Sequence, residues 1–399
     1  MKLLKKIYCR GFQAIMRLAL PFLPYRNPKV YDSVQEILPL LLDKGYKRVL
    51  LVTDKSIRAV GLTLSLEQAL QQKGIACAVY EDTCPNPTVQ NVESARELYL
   101  KESCQCIIAF GGGSPMDCAK AVGARIAYPK KSLRRLKGLL RVRRAIPMLI
   151  AIPTTAGTGS EVTLTAVITD TEKKDKYTIN SFPLIPSVAV LDPEATYSLP
   201  PHLTATTGMD ALTHAVEAYI GGSTTKQTRE QSLQAVRLIF ENIKRAYDCG
   251  QDYTARANML QAAYLAGLAF SKSYVGYVHA VAHSLGGQYN LPHGLANAVL
   301  LPHVLQAYGA KIHKKLYALG RAAGVVDAAD CYATGAAKFI EAIKKLNQSM
   351  NIPQGLSGIR REDIPLLAAH ADQEANPLYP VPVLMDADEL KLLYELVIS

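Results

Sequence analysis

Apolar residues follow two different rhythms along this chain, and the change comes near residue 200. From Lys47 to about Leu199, short apolar runs alternate with helical stretches. KRVLLVTD, CAVYED, CQCIIAF, PMLIAIPTT, LTAVITD and VAVLD read as strands, and SLEQALQQKG, NVESARELYLKES and the segment after GGGSPMD read as helices. Strands alternating with helices predict an α/β domain built on a parallel, doubly wound sheet. Beyond Pro200 and Pro201 the apolar positions recur every three to four residues. HLTATTGMDALTHAVEAYI, REQSLQAVRLIFENIKRAY, ARANMLQAAYLAGLAF and ELKLLYELVI each carry that period, and no strand pattern interrupts them. The expected organisation is a dinucleotide-binding α/β domain over residues 29–199, followed by an all-α domain over residues 200–399. Residues 1–28 stand apart as a basic, amphipathic helical extension that docks on the body or rests weakly on a membrane surface. Arg17 breaks its apolar stretch and no small-residue cleavage site follows, which argues against a secretory signal.

Composition changes this picture little. Hydrophobic residues at 49% and charged residues at 20% describe an ordinary globular protein with ample core for two domains. The net charge of +11 raises the question of nucleic acid. Much of the excess lies in the N-terminal segment, with Lys2, Lys5, Lys6 and Arg10, and in KKSLRRLKGLLRVRR from Lys130 to Arg144. No aromatic side chain interleaves that second run, so base stacking is unsupported and a solvated loop or amphipathic helix is expected. Cys9, Cys77, Cys84, Cys104, Cys106, Cys118, Cys249 and Cys331 show no CxxC pair, and most lie beside apolar sequence. They read as reduced thiols of a cytoplasmic protein.

Two loops and one histidine cluster carry the chemistry. CIIAFGGGSPMDCAKAVG is an apolar strand, a glycine turn and a helix, with Ser114 as N-cap and Pro115 as first helical residue. Glycines let a backbone approach phosphate, and helix-start amides donate to it; a plain tight turn would look the same. IPTTAGTGSE brings Thr154, Thr155, Thr158 and Ser160 to a second strand end, where their hydroxyls suit phosphate or ribose oxygens. Asp54 ends VLLVTD, either to accept from an adenosine ribose or to cap the next helix. In the helical half, Asp210 and His214 form an i,i+4 pair, His279 and His283 form another, and His293 follows in LPHG. The oxygen and nitrogen donors of Asp210, His214, His279 and His293 suit a single divalent ion such as Fe(II) or Zn(II). A catalytic ion with four protein ligands must expand its coordination, which favours Fe(II). Such pairs also arise by chance on helices. His202, His303, His313 and His370 lack this company and read as structural or solvent-facing.

Taken together, GGGSPMDCAKAVGA, PTTAGTGSEVT, TGMDALTHAVEAY and VHAVAHSLGG…LPHGLANAVLLPHV resemble the iron-containing (group III) alcohol dehydrogenase family, from about residue 30 to at least residue 350. The resemblance implies a dehydroquinate synthase-like architecture with the metal in the cleft between domains. It implies metal ligation by Asp210, His214, His279 and His293, with Fe(2+) the expected ion and Zn(2+) or another divalent metal as substitutes. Gly112, Gly113 and Ser114 match the pyrophosphate loop, and Thr154, Thr155 and Thr158 match the second nucleotide loop. Lys176 matches a lysine near the nicotinamide ribose, Asp54 a position that is aspartate in NAD-preferring members, and His283 a histidine that assists proton movement. The implied protein is a metal-dependent, NAD-using alcohol dehydrogenase acting on a small alcohol or aldehyde, dimeric, without nucleic acid as partner. A glycerol dehydrogenase-like polyol enzyme is the alternative within the superfamily, and the PHGLANA string argues against it. A basic nucleic-acid or membrane-surface protein is the alternative of another class, and it rests on charge alone.

Overall fold

A computed structural model describes residues 1–173 and 175–398. The chain divides into two compact units, Pro24–Leu199 and a second made of Met1–Leu23 with Pro200–Ser399. The N-terminal extension therefore belongs with the helical unit and is not a separate body.

Among the described residues, nine strands lie in the first unit: β1 (Lys29–Tyr31), β2 (Arg48–Val52), β3 (Ala76–Tyr80), β4 (Cys106–Gly111), β5 (Gly138–Leu139), β6 (Met148–Pro153), β7 (Thr165–Asp170), β8 (Asp175–Asn180) and β9 (Val188–Val190). Six form one sheet in the order β1-β9-β6-β4-β2-β3, with every pairing parallel. Its central strands are apolar on both faces because both faces are covered. Leu50, Val52, Ile107, Ala109, Leu149 and Ala151 enter one core, while Val49, Leu51, Cys106, Ile108, Ile150 and Ile152 enter the other. From β2 the chain moves outward to β3, then returns to place β4 on the other side of β2. That reversal leaves a crevice outside the carboxyl ends of β2 and β4, where open α/β sheets receive ligands.

LTAVITD departs from expectation. It forms β7, which belongs to a separate three-stranded sheet, β5-β8-β7, and pairs antiparallel with β8. Its buried residues alternate, Ala166 and Ile168 inward, as in a sheet covered on one face. The basic run is absorbed by the same region. Leu133, Leu136 and Val142 are buried, Gly138–Leu139 forms β5, and the arginines and lysines between them face outward. The eight cysteines form no disulfide.

The helix Gly113–Ala127 carries a buried ammonium beneath the second loop. Lys120 Nζ donates at 2.9 Å to Ser160 Oγ, to Thr163 Oγ1 and to the carbonyl of Thr165. Those three acceptors use all its protons. Asp117 accepts from Ser160 Oγ at 3.1 Å and from the Val167 amide at 3.1 Å. Burial pushes Lys120 down to about 8, against the pull of Asp117 and Glu161, and pushes Glu161 up to about 7.

In the second unit, Pro201–Ile220 is buried on nearly every side. It packs with Lys226–Asp248, Tyr253–Ser273 and His293–Tyr308. Close approach is enforced by small residues: a Cβ on Gly294 would lie 2.4 Å from the carbonyl oxygen of Thr206, which a backbone cannot yield cheaply.

Replacing Lys120 by methionine keeps the aliphatic volume and removes the positive charge beside half-buried Asp117 and buried Glu161. Loss of one partner from a buried network costs about 3–5 kcal/mol. Chemical denaturation of Lys120→Met is expected to show that loss, and an unchanged midpoint would mean the network contributes nothing.

Candidate metal centre and nucleotide loops

A polar cluster of one carboxylate and several imidazoles lies in the helical unit. Asp210 and His214 share a face of Pro201–Ile220, His279 sits in the first turn of Tyr277–Tyr289, and His293 opens His293–Tyr308. Donor atoms of Asp210, His279 and His293 all fall within 4.8 Å of one another. His279 Nε2 lies 3.7 Å and His293 Nε2 3.5 Å from Asp210 Oδ1. His214 is adjacent without joining that threesome: its ring stacks on His279 at 4.5 Å and on Phe270 at 4.1 Å between centroids. His283 stacks on His293 at 5.1 Å.

Two residues that the sequence pattern did not single out hold this cluster together. Glu217 lies one turn beyond His214 and receives His279 Nδ1 on Oε2 at 2.6 Å. Its two oxygens also accept the amides of Gly276 and Val278, each at 2.8 Å, capping the helix that carries His279. A Cβ on Gly276 would lie 2.7 Å from Glu217 Oε1, so the glycine makes room for the carboxylate. Asn297 donates to Asp210 Oδ1 at 2.7 Å and lies 3.1 Å from His293 Nε2. The i+7 spacing of Glu217 from Asp210, and of Asn297 one turn from His293, are the signals that could have found them.

The donor set fits a cation. A carboxylate only accepts, so Glu217 fixes a proton on His279 Nδ1, and the neutral imidazole that would bind a metal keeps its lone pair on Nε2. That Nε2 is buried with no hydrogen-bond partner, a costly arrangement unless something electrophilic meets it. Burial would raise the Asp210 carboxyl, yet His214, His293 and His279 outweigh it and hold it well below the usual range. Asp210 with His279, His293 and the adjoining His214 are the residues that would hold a divalent ion.

The second histidine of the 279/283 pair has its own partner. His283 Nδ1 meets Glu374 Oε1 at 2.6 Å, and Tyr379 donates its hydroxyl to the same oxygen at 2.7 Å. Burial favours a neutral Glu374, but His283 prevails and keeps the carboxyl below its ordinary value.

Within the α/β unit, the two small-residue loops touch. A Cβ on Gly113 would lie 3.2 Å from Thr158 Cγ2, and one on Gly112 would lie 3.4 Å from the Thr155 side chain. Gly111 has φ +152° and its Cβ would strike Pro115 at 2.6 Å, so no other residue fits there. The helix starts at Gly113 with Gly112 as N-cap, two residues ahead of the expected Ser114 cap. Proline lacks nothing it needs anywhere in a first turn, so Pro115 did not pin the start. Thr154 is buried at the end of β6, its amide bonded to the Gly111 carbonyl at 3.1 Å. Asp54 caps Lys55–Ala59, its Oδ1 accepting from Ser56 and Ile57 at 2.9 and 3.0 Å. Lys176, on β8, donates to Asn86 Oδ1 at 2.7 Å.

Comparison with known proteins fixes the class. Residues 30–193 match the iron-containing alcohol dehydrogenase family, and residues 204–397 match the C-terminal region of the Fe-containing alcohol dehydrogenase family. The chain belongs to this family of oxidoreductases. It is similar to alcohol dehydrogenase 4 of Saccharomyces cerevisiae, 40% identical over 345 residues, covering 86% of this chain and 89% of that one. Among solved structures, a 1,3-propanediol oxidoreductase superposes with a TM-score of 0.89 at 36% identity, covering 93% of this chain and 98% of that one. Sulfoacetaldehyde reductase from Bifidobacterium kashiwanohense, solved in complex with NAD+, gives 0.83 at 30% identity over 93% and 97% of the two chains.

The role of Glu217 is testable apart from turnover. Outer partners of metal-bound histidines typically contribute about 10–100-fold in metal affinity. Glu217→Gln is expected to weaken Zn(II) or Fe(II) binding by that factor while circular dichroism stays unchanged. Wild-type affinity in this variant would reduce Glu217 to a helix cap.

Proposed function

We propose that this chain interconverts a small alcohol and its aldehyde, using NAD(H) and one divalent ion, Fe(II) in the native protein. The observation that carries the reading is the buried, unpartnered His279 Nε2 facing Asp210 and His293, with Glu217 fixing its tautomer. Family membership and the NAD+ complex of a relative support it. A bound ion supplies Lewis acidity to the substrate oxygen, and the nicotinamide supplies or takes the hydride.

The residues divide the remaining work. Gly112, Gly113 and Ser114 present amides at a helix start to the pyrophosphate, and Thr154, Thr155 and Thr158 offer hydroxyls beside them. Lys176 sits near the nicotinamide ribose in this reading. Asp54 accepts from the adenosine ribose with the oxygen left over from its cap and repels a 2′-phosphate, giving preference for NAD(H). His283 takes the alcohol proton on Nε2. Glu374 holds the Nδ1 proton and stabilises the imidazolium until the proton leaves to solvent. His283 is 43% exposed, which gives that exit.

Metal-free protein replenished with Fe(II), Zn(II) or Mn(II) and assayed with NADH across a panel of small aldehydes tests the reading. Activity is expected only with metal and with NADH well above NADPH, and Asp54→Gly should narrow that cofactor gap. Glycine is a tolerated N-cap, costing only a few tenths of a kcal/mol, so the variant should fold. Full activity without metal would end the proposal.

A second measurement isolates His283. His283→Ala is expected to lower turnover about 10²–10⁴-fold with metal content unchanged, and to remove the rise of alcohol oxidation with pH. Loss of metal in this variant would show that His283 supports the ion instead.

A further inference from the structure

The N-terminal helix Leu3–Ala19 buries Cys9 and Gln13, with Phe12 and Met16 half-buried on the same side. Gln13 is buried and donates its amide to the carbonyls of Tyr379 at 2.7 Å and Pro377 at 3.2 Å. Arg10 donates to the carbonyls of Val381 and Pro382 at 2.7 and 3.0 Å, and Lys5 pairs with Asp372 at 2.6 Å. A second set of apolar side chains, on the side away from these contacts, is left in water. Leu4 is 82% exposed, Ile7 60%, Ile15 68%, Leu18 74% and Phe22, in the turn that follows, 87%. Their spacing of three, eight, three and four residues, with Gly11 filling the gap, places them in one stripe.

Isolated exposed leucines need no explanation, but a contiguous stripe on one helix does. Its setting is strongly cationic. No Asp or Glu occurs in the sequence before Asp32, while Lys2, Lys6 and Arg17 are exposed along the helix. Residues 1–29 also lie outside the matched family regions, so the shared fold and chemistry do not require this surface. A second copy of the chain would bring two such cationic helices together against their mutual repulsion. A bilayer surface of anionic phospholipid offers acyl chains to the stripe and phosphate charge to the lysines and arginine. Among the described residues no helix is long and apolar enough to cross a membrane, so contact would be in the plane of the interface.

We propose that this helix seats the protein on anionic phospholipid membranes, with Leu4, Ile7, Ile15, Leu18 and Phe22 entering the headgroup boundary while Gln13 and Arg10 keep the helix fastened to the enzyme. The test is flotation of the full chain with vesicles of phosphatidylcholine alone or with 30 mol% phosphatidylglycerol, a composition of about a third charged lipid chosen to give a strong surface potential. Binding to the anionic vesicles is expected, at least about tenfold above the neutral ones, falling as salt screens the charge. The Leu4→Glu/Leu18→Glu variant should lose it and keep wild-type dehydrogenase activity. Equal binding to neutral vesicles, undiminished flotation of the variant, or no flotation at all would each overturn the proposal. Self-association of the wild type that the variant abolishes, without flotation, would identify a second copy as the occupant and overturn it likewise.

Discussion

The candidate metal centre depends on one buried carboxylate. Glu217 accepts two main-chain amides and one imidazole proton, so the start of the Tyr277–Tyr289 helix and the orientation of His279 are set by the same two oxygens. A buried carboxylate with so few partners would be costly; with three charge-assisted donors it is satisfied and immobile. Gly276 and Gly294 complete the constraint by allowing backbone approach where a methyl group would collide. Asp210, His279 and His293 come from three helices, and their donor atoms meet because these contacts leave those helices little freedom to slide.

The candidate nucleotide loops rest on an analogous arrangement in the other unit. β4 and β6 are neighbours in the sheet, so the glycine turn and the threonine loop emerge side by side, and Thr155 and Thr158 pack on Gly112 and Gly113. Lys120 reaches up from the helix that the glycine turn begins and grips the far end of the threonine loop. One buried ammonium thereby ties together two segments that would face the same ligand.

Much of this was legible in the residues. Continuous apolar runs such as VLLV and CIIAF declared strands buried on both faces, and the shift to a period of three to four after Pro201 marked the helical unit. What escaped was set by tertiary context. Lys29–Tyr31 is too short and polar to advertise a strand, and it exists because β9 offers an edge. LTAVITD alternates as an antiparallel strand does, but its neighbours in sequence suggested the larger sheet. Glu217 and Asn297 carry only the weak signal of their spacing from Asp210 and His293, since a helical glutamate or asparagine is ordinarily a solvated one. Their meaning comes from the partner that a distant segment brings. The N-terminal helix was readable as amphipathic, whereas which edge it would bury was not.

Beside the Lys5–Asp372 ion pair, much of that helix's polar attachment is to main-chain oxygens. Gln13 and Arg10 together grip the carbonyls of Pro377, Tyr379, Val381 and Pro382, and each of those residues would present the same atom whatever its side chain. The receiving segment is thus free to drift in sequence so long as its backbone path is kept, while the burden of recognition falls on two side chains of the helix. An attachment of this kind is cheap to acquire: an existing enzyme needs no new pocket, only a chain extension bearing an amide and a guanidinium at the right spacing.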